Sequence, residues 1–125
     1  MDRQVIRNVV TNTPNALFAV LVGSRSQDQA TADSDWDIAI LWRQEEAVER
    51  IKRHETLRRR LAASLGVPEK QIDLIDLANA RLAMKALVVE DGVLLHANDE
   101  LAWAKFMIRI WRELEDFYWE RRHAA

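Results

Sequence analysis

Two aspartates separated by one tryptophan, Asp35 and Asp37, stand at the start of a strongly apolar segment of the chain. Because successive side chains of a β-strand point to opposite faces, both aspartates would project to one side while Trp36 points to the other. Two negative charges on one small patch cost folding free energy unless a cation or strong donors lie between them. The usual cation for a site made only of oxygen ligands is Mg²⁺, so this spacing predicts a magnesium site.

Two aspartates of a later strand compete to supply the third carboxylate of such a site. The segment "QIDLIDL" contains Asp73 near its start and Asp76 three residues further on. Asp73 and Ile75 share one face of that strand, and Asp76 lies on the other face. We therefore expect Asp73, rather than Asp76, to join Asp35 and Asp37.

Ten residues separate the dipeptide Gly23-Ser24 from Asp35, and this dipeptide suits the binding of phosphate. Glycine lets the backbone approach a phosphate closely, and the amides and hydroxyl at Ser24 can bind a β- or γ-phosphate. Arg25 adds a further, charged donor for a phosphate group. These three residues are the predicted nucleotide-binding group.

Composition limits the class of protein. The 125 residues are 49% hydrophobic and 30% charged, which predicts one domain over residues 1–125 with a core of its own. A net charge of -2 offers no basic excess for direct nucleic-acid binding. There is no cysteine, hence no disulfide or thiolate metal site, and no apolar run of about 20 residues that suits a membrane span. A cytoplasmic protein is expected.

Helical and strand patterns alternate along the chain, and glycine and proline residues mark the breaks between them. A short helix begins at Asp2; strands are predicted at 16–22, 35–42, 71–77 and 92–96, and helices at 44–65, 81–90 and 99 to about 122. If Ser24 and Asp35 act on one ligand, the first two strands must be antiparallel. The long helix between the second and third strands predicts a parallel, right-handed crossover. The expected fold is α/β, with a small mixed sheet of about four strands flanked by helices.

Two of the predicted helices carry apolar stripes. In the middle helix the stripe is Val48, Ile51, Leu57, Leu61 and Leu65, and in the long C-terminal helix it is Trp103, Met107, Ile110, Leu114 and Phe117. The C-terminal helix has further aromatic residues outside its stripe: Phe106, Trp111, Tyr118 and Trp119. A small core has little room for them, and aromatic residues are enriched at protein interfaces. We therefore predict that Trp111, Tyr118 and Trp119 bind a partner protein.

The combined pattern resembles the active site of the DNA polymerase β-like nucleotidyltransferase superfamily. Its members carry Gly-Ser, ten residues, Asp-x-Asp and a later acidic residue, and Gly23-Ser24 and Asp35-Trp36-Asp37 reproduce that spacing without a gap. The short chain, with "IDLIDLANA" and "VVEDGVLLH", resembles the minimal nucleotidyltransferase (MNT) antitoxins of HEPN–MNT toxin–antitoxin systems over about residues 16–97. One departure is Asp28, where relatives commonly have glycine in the loop that contacts the triphosphate.

The resemblance implies an enzyme that uses Mg²⁺ to transfer AMP from ATP to a tyrosine hydroxyl of a partner HEPN ribonuclease toxin, which silences the toxin. In-line attack of this kind uses two Mg²⁺ ions about 3.5–4 Å apart. Asp35 and Asp37 would bridge them, and Asp73 would complete the ion nearer the attacking hydroxyl. One alternative is an antitoxin that neutralises the toxin by binding alone. A small-molecule (antibiotic) nucleotidyltransferase is less favoured, because the chain has no obvious second lobe to hold such an acceptor.

Overall fold

The computed structural model describes residues 2–124, which form one mixed four-stranded sheet with helices on both faces. The helices are α1 (Asp2–Thr11), α2 (Ala47–Leu65), α3 (Leu82–Asp91) and α4 (Glu100–His123), and the strands are β1 (Ala16–Val22), β2 (Trp36–Trp42), β3 (Ile72–Asp76) and β4 (Val93–Ala97). Short 3₁₀ helices cover Ser24–Gln27, Glu69–Gln71 and Leu77–Asn79. The predicted fold class, an α/β domain with a long C-terminal helix, is confirmed.

The strand order is β3-β2-β1-β4, with β1 antiparallel to both β2 and β4, and β3 parallel to β2. Both predicted strand relations are confirmed, and α2 forms the crossover between β2 and β3. One end of the sheet therefore collects the end of β1 and the starts of the other three strands. We call this end, with residues 22–24, 35–37, 72–73 and 92–93, the carboxylate edge. The opposite end, with Ala16, Trp42, Asp76 and Ala97, is the far edge.

The core consists of two layers, one on each face of the sheet. On one face, α1 and α2 pack against Trp36, Ile38 and Ile40 of β2. On the other face, α3 and α4 pack against β1 and Ala39 of β2. Strand β1 is buried on both faces, which explains its uninterrupted apolar sequence. Because Asp37 has the same parity as Ala39, it lies on the face of the sheet that α3 and α4 cover.

The predicted apolar stripe of α2 is wrong in its N-terminal half. Leu57 and Leu61 are buried, but Val48 and Ile51 are 53% and 64% exposed. At 100° per residue Val48 lies opposite Leu57, and the sheet-facing position one turn before Leu57 belongs to a polar residue, His54. The Trp42 indole Nε1 donates to His54 Nδ1 at 3.0 Å, and His54 Nε2 lies 2.8 Å from the Leu74 carbonyl oxygen. Hydrogen bonds thus replace apolar contacts at this part of the helix.

Helix α4 also differs from its predicted stripe. Ile110 and Leu114 are buried as expected, but Phe106 is only 1% exposed and belongs to the core, whereas Phe117 is 42% exposed. Phe106 lies 40° from Ile110 around the helix, so it faces the sheet and packs on Phe18. Every described residue after Leu114 is exposed. The last turns of α4 therefore extend past the core.

Among residues 2–124, no helix combines the length and the apolar content that crossing a bilayer requires.

Candidate active site

The register of the sheet brings the three predicted carboxylates together. Asp37 pairs with Val22 of β1 and with Asp73 of β3. Asp35 precedes β2 and has the same parity as Asp37. Asp35 and Asp73 are exposed, and Asp37 is half-buried. The carboxylate edge thus presents three acidic side chains on one face of the sheet, next to the end of β1.

No basic side chain in the described part of the chain forms an ion pair with these carboxylates. Burial raises the pKa of Asp37 above its ordinary value of 3.8, and the neighbouring charge of Asp73, a hydrogen bond between the two carboxyl groups and the charge of Asp35 raise it further. None of the ion pairs formed within residues 2–124 involves any of the three side chains. The site therefore has a surplus of negative charge that a bound cation would relieve.

Asp76, the competing aspartate of β3, lies at the far edge and is fully engaged. Its Oδ2 accepts from Arg50 Nε at 3.0 Å and from Asn79 Nδ2 at 3.1 Å, and its Oδ1 accepts from the Ala78 amide at 3.2 Å. These bonds join α2 to the end of β3 and cap the 3₁₀ turn that follows. Asp76 is therefore a structural residue, and the geometry favours Asp73 as the third carboxylate.

Both the backbone conformation at position 23 and the nearby Asp37 side chain favour glycine there. The Gly23 φ of 75° lies in the left-handed region that favours glycine, and a β-carbon at this position would collide with the Asp37 carboxylate. The next residue, Ser24, begins a 3₁₀ helix. Its hydroxyl makes no hydrogen bond within the described part of the chain, so it remains available to a ligand such as a phosphate.

The Arg25 side chain makes its contacts within the loop between β1 and β2 and with Trp36. Its guanidinium lies over the Trp36 ring, with 4.0 Å from Cζ to the ring centroid. Nη2 donates to the carbonyl oxygens of Ser34 at 2.8 Å and Thr31 at 3.2 Å, and Nε donates to Ser34 at 3.2 Å. The contact of Arg25 with phosphate stays a prediction, and in this structure its guanidinium holds the loop between β1 and β2.

Asp28, the departure from the family pattern, is accommodated by the loop. Its φ of 57° is left-handed, a conformation that aspartate adopts more readily than most residues. Its side chain is 95% exposed and its Oδ1 lies 3.6 Å from Arg3 Nη2 of α1. The extra carboxylate is thus directed toward α1 and solvent.

Sequence reasoning missed Gln71, the last residue of the 3₁₀ helix that leads into β3. Its Nε2 donates to the carbonyl oxygens of Ala32 at 3.0 Å and Ser34 at 2.9 Å. Nothing in the sequence indicates this contact, since it joins a side chain to backbone atoms 37 and 39 residues away. The loop between β1 and β2 is therefore held from two directions, by Arg25 and by Gln71.

The three carboxylates suit a Mg²⁺ ion whose remaining ligands come from a substrate. Among residues 2–124, no three histidine, cysteine, aspartate or glutamate side chains form a ready-made metal site. Mg²⁺, however, is usually bound through one or two carboxylates together with substrate phosphates and waters. The half-buried Asp37, flanked by the exposed Asp35 and Asp73, provides the carboxylates for that arrangement.

The predicted partner-binding residues of α4 are all exposed: Trp111 by 50%, Tyr118 by 51% and Trp119 by 60%. Tyr118 also lines a cavity of about 410 Å³ between α3 and α4, together with Phe117, with Leu82 at the start of α3 and with Arg81 just before it. Because Arg81 follows the end of β3, this cavity lies toward the far edge. Tyr118 hence lies toward the end of the sheet opposite the three carboxylates.

Comparison with known proteins supports the resemblance drawn from the sequence. The model of a family described as polymerase beta, nucleotidyltransferase, matches residues 4–101. The protein adenylyltransferase MntA of Aphanizomenon flos-aquae (strain 2012/KM1/D3) is 26% identical over 112 residues, which cover 86% of this chain and 75% of that protein. The family match spans every residue of the carboxylate edge.

Solved structures share the fold. A structure described as a toxin–antitoxin with AMP-PNP matches with a TM-score of 0.75 at 24% identity, covering 98% of this chain and 94% of that chain. A complex of the tri-AMPylated Shewanella oneidensis HEPN toxin with its MNT antitoxin matches with a TM-score of 0.67 at 22% identity, covering 98% and 93%. At these identities the likeness shows a common fold.

Proposed function

Since this chain belongs to the polymerase β nucleotidyltransferase family, we propose that it is an antitoxin that transfers AMP from ATP to a tyrosine hydroxyl of a HEPN ribonuclease toxin and so neutralises it. The observation that carries the proposal is the carboxylate edge, where Asp35, Asp37 and Asp73 meet beside the turn at Gly23-Ser24. The names of the relatives support it, because they describe a protein adenylyltransferase and toxin–antitoxin complexes, one of which is AMPylated.

The reaction forms a bond between the tyrosine oxygen and the α-phosphorus of ATP and breaks the bond to pyrophosphate. We assign Mg²⁺ to Asp35, Asp37 and Asp73; when bound, it offsets phosphate charge and lowers the pKa of the attacking hydroxyl. The amide and hydroxyl of Ser24 bind the β- or γ-phosphate and so align the leaving group with the attack. In this assignment the carboxylate of Asp73, on the outer strand β3, accepts the proton of the tyrosine hydroxyl.

We further propose that the exposed side of α4 with Trp111, Tyr118 and Trp119, here the α4 surface, docks the HEPN toxin. The carboxylates alone have no means of choosing one tyrosine among many, and binding energy remote from the chemistry supplies that choice. The three side chains fall within about 100° of one another around the helix, so one partner can contact them together. Tyr118 and Trp119 lie on the turns that extend past the core, and Trp111 lies on the exposed side of α4, so all three are accessible to a folded protein.

The proposed activity is tested by incubating the purified chain with ATP, Mg²⁺ and the purified toxin and measuring the intact mass of the toxin. The parent chain should add one or more AMP units, and Asp37→Asn should add none. If the parent chain and Asp37→Asn neutralise the toxin equally, and its mass does not change, the proposed enzymatic activity is contradicted. That result would support an antitoxin that acts by binding alone.

A further inference from the structure

We propose that Arg25 and Gln71 are positioning residues that act on Asp35 by holding the carbonyl oxygen of Ser34. The proposal rests on the proposed function of the carboxylate edge and concerns how one of its three carboxylates is kept in place. The shared target of the two side chains, the Ser34 carbonyl, is here called the loop anchor.

Asp35 needs such an anchor because, unlike its two companions, it lies outside the strands. Asp37 and Asp73 belong to the ladder between β2 and β3 and are in register with each other. Strand β2 begins only at Trp36, and residues 31–33 just before the anchor are exposed. The backbone that carries Asp35 is therefore not fixed by pairing with a neighbouring strand.

The loop anchor receives three N–H groups from two side chains. Arg25 donates from Nη2 at 2.8 Å and from Nε at 3.2 Å, and Gln71 donates from Nε2 at 2.9 Å. Because the peptide unit is planar, fixing the Ser34 oxygen also fixes the amide nitrogen and α-carbon of Asp35. The bonds from Arg25 are charge-assisted and hence stronger than ordinary amide bonds.

Both donors are themselves held by other parts of the site. The Arg25 guanidinium stacks on the buried Trp36 ring. The backbone carbonyl oxygen of Arg25 accepts a hydrogen bond from Arg3 Nη2 of α1 at 3.0 Å. Gln71 also donates to Ala32 and lies two residues before Asp73. The loop anchor thus ties Asp35 to the turn that begins at Gly23 and to the strand that carries Asp73.

If the loop anchor positions Asp35, two variants should change the affinity for a divalent cation in the direction opposite to the one that charge alone predicts. Gln71→Glu keeps the size of the side chain but replaces the donor by an oxygen that repels the two carbonyls, and it adds a negative charge near the metal ligands. Arg25→Gln removes a positive charge from the same region. Charge alone predicts that both variants bind a divalent cation more tightly. Loss of positioning predicts that both bind it more weakly.

The experiment measures Mn²⁺ binding to each chain in the presence of a non-hydrolysable ATP analogue by electron paramagnetic resonance, together with the Mg²⁺ concentration for half-maximal AMP transfer. We expect both variants to weaken Mn²⁺ binding by about 10-fold or more, the usual effect of removing the partners that orient metal ligands. Arg25→Lys, which keeps the charge without the fork, should recover only part of the loss. Gln44→Glu, which adds the same charge near the far edge, should match the parent.

Unchanged or tighter Mn²⁺ binding in Gln71→Glu and Arg25→Gln would overturn the proposal. Thermal unfolding identifies a variant that fails to fold, and Gln71→Ala, which removes the donor without adding charge, then takes the place of Gln71→Glu with the same expectation. A parent chain that binds Mn²⁺ with the analogue but transfers no AMP would contradict the proposed function and leave the positioning test in force. A parent chain that binds no Mn²⁺ would contradict both.

Discussion

The carboxylate edge and the α4 surface are both incomplete in the isolated chain, but in opposite ways. At the carboxylate edge, three acidic side chains converge without a cationic partner among the described residues. On the α4 surface, three large aromatic side chains remain half exposed. The first needs positive charge and hydrogen-bond donors, and the second needs an apolar partner. The contrast indicates that the two regions suit ligands of different kinds, which under the proposed function are a metal-nucleotide and a protein.

The two regions are also separated in space. The last residues of α3 reach the carboxylate edge, where Val93 pairs with Leu21, whereas its first residues lie beside Tyr118. Helix α3 has ten residues and is about 15 Å long, and the cavity beside Tyr118 lies along its first half. Changes in one region should therefore have little effect on the other, and variants can test them independently.

The largest expected effect is at the centre of the carboxylate edge. Asp37→Asn should lower the rate of AMP transfer by about 100-fold or more, because it removes a negative charge that the proposed Mg²⁺ site needs. The melting temperature should stay the same or rise, since one of the crowded charges is gone. Kinetics with the toxin as acceptor, combined with calorimetry, checks both; retained activity with a large loss of stability would contradict the assignment.

Gly23→Ala should affect the same region through its backbone. The added β-carbon meets the Asp37 carboxylate. The turn also holds the alanine at a left-handed φ, which costs about 1–3 kcal/mol of folding stability. The displaced Asp37 should also raise the Mg²⁺ requirement. Gly66→Ala is the matched control, because Gly66 has a similar φ of 69° but nothing within 4 Å of its added carbon. Equal losses of activity in the two variants would show that the contact with Asp37 is unimportant.

On the α4 surface, Trp111→Ala or Trp119→Ala should weaken toxin binding by about 2 kcal/mol, the scale of a central aromatic contact. Binding of the nucleotide at the carboxylate edge should not change. Ile51→Ala, at a comparably exposed apolar residue of α2, is the control and should bind the toxin like the parent. If both tryptophan variants also bind the toxin normally, the docking surface lies elsewhere on the molecule.

The smallest expected effect is the pH dependence of stability without metal. Because the folded state raises the pKa of Asp37, it binds the proton more tightly than the unfolded state does. Ionised Asp37 therefore lowers the free energy of unfolding. This loss of stability is fully present above the raised pKa and disappears as the pH falls through that pKa toward 3.8. The stability advantage of Asp37→Asn should therefore be largest near neutral pH and vanish in acid. Melting curves of both chains in a chelator check this, and an advantage independent of pH would point to another cause.

The same contrast explains what could be predicted from the sequence. The meeting of Asp37 and Asp73 follows from strand alternation and a parallel crossover, both of which depend on local patterns. The phase of the apolar stripe on α2 was wrong because His54 faces the sheet through hydrogen bonds that no apolar pattern reveals. The loop anchor was missed for a related reason: Arg25 and Gln71 bind backbone oxygens, which carry no signature of residue type.

The central claim, that the carboxylate edge performs the transfer, is tested most directly by one matched pair in β3. Asp73→Asn and Asp76→Asn make the same chemical change on one short strand, at the carboxylate edge and at the far edge. The measurement is the intact mass of the toxin after incubation with ATP and Mg²⁺. We predict that Asp73→Asn leaves the toxin unmodified while Asp76→Asn, once shown to be folded, still adds AMP. Modification by Asp73→Asn together with its loss in a folded Asp76→Asn would contradict the account.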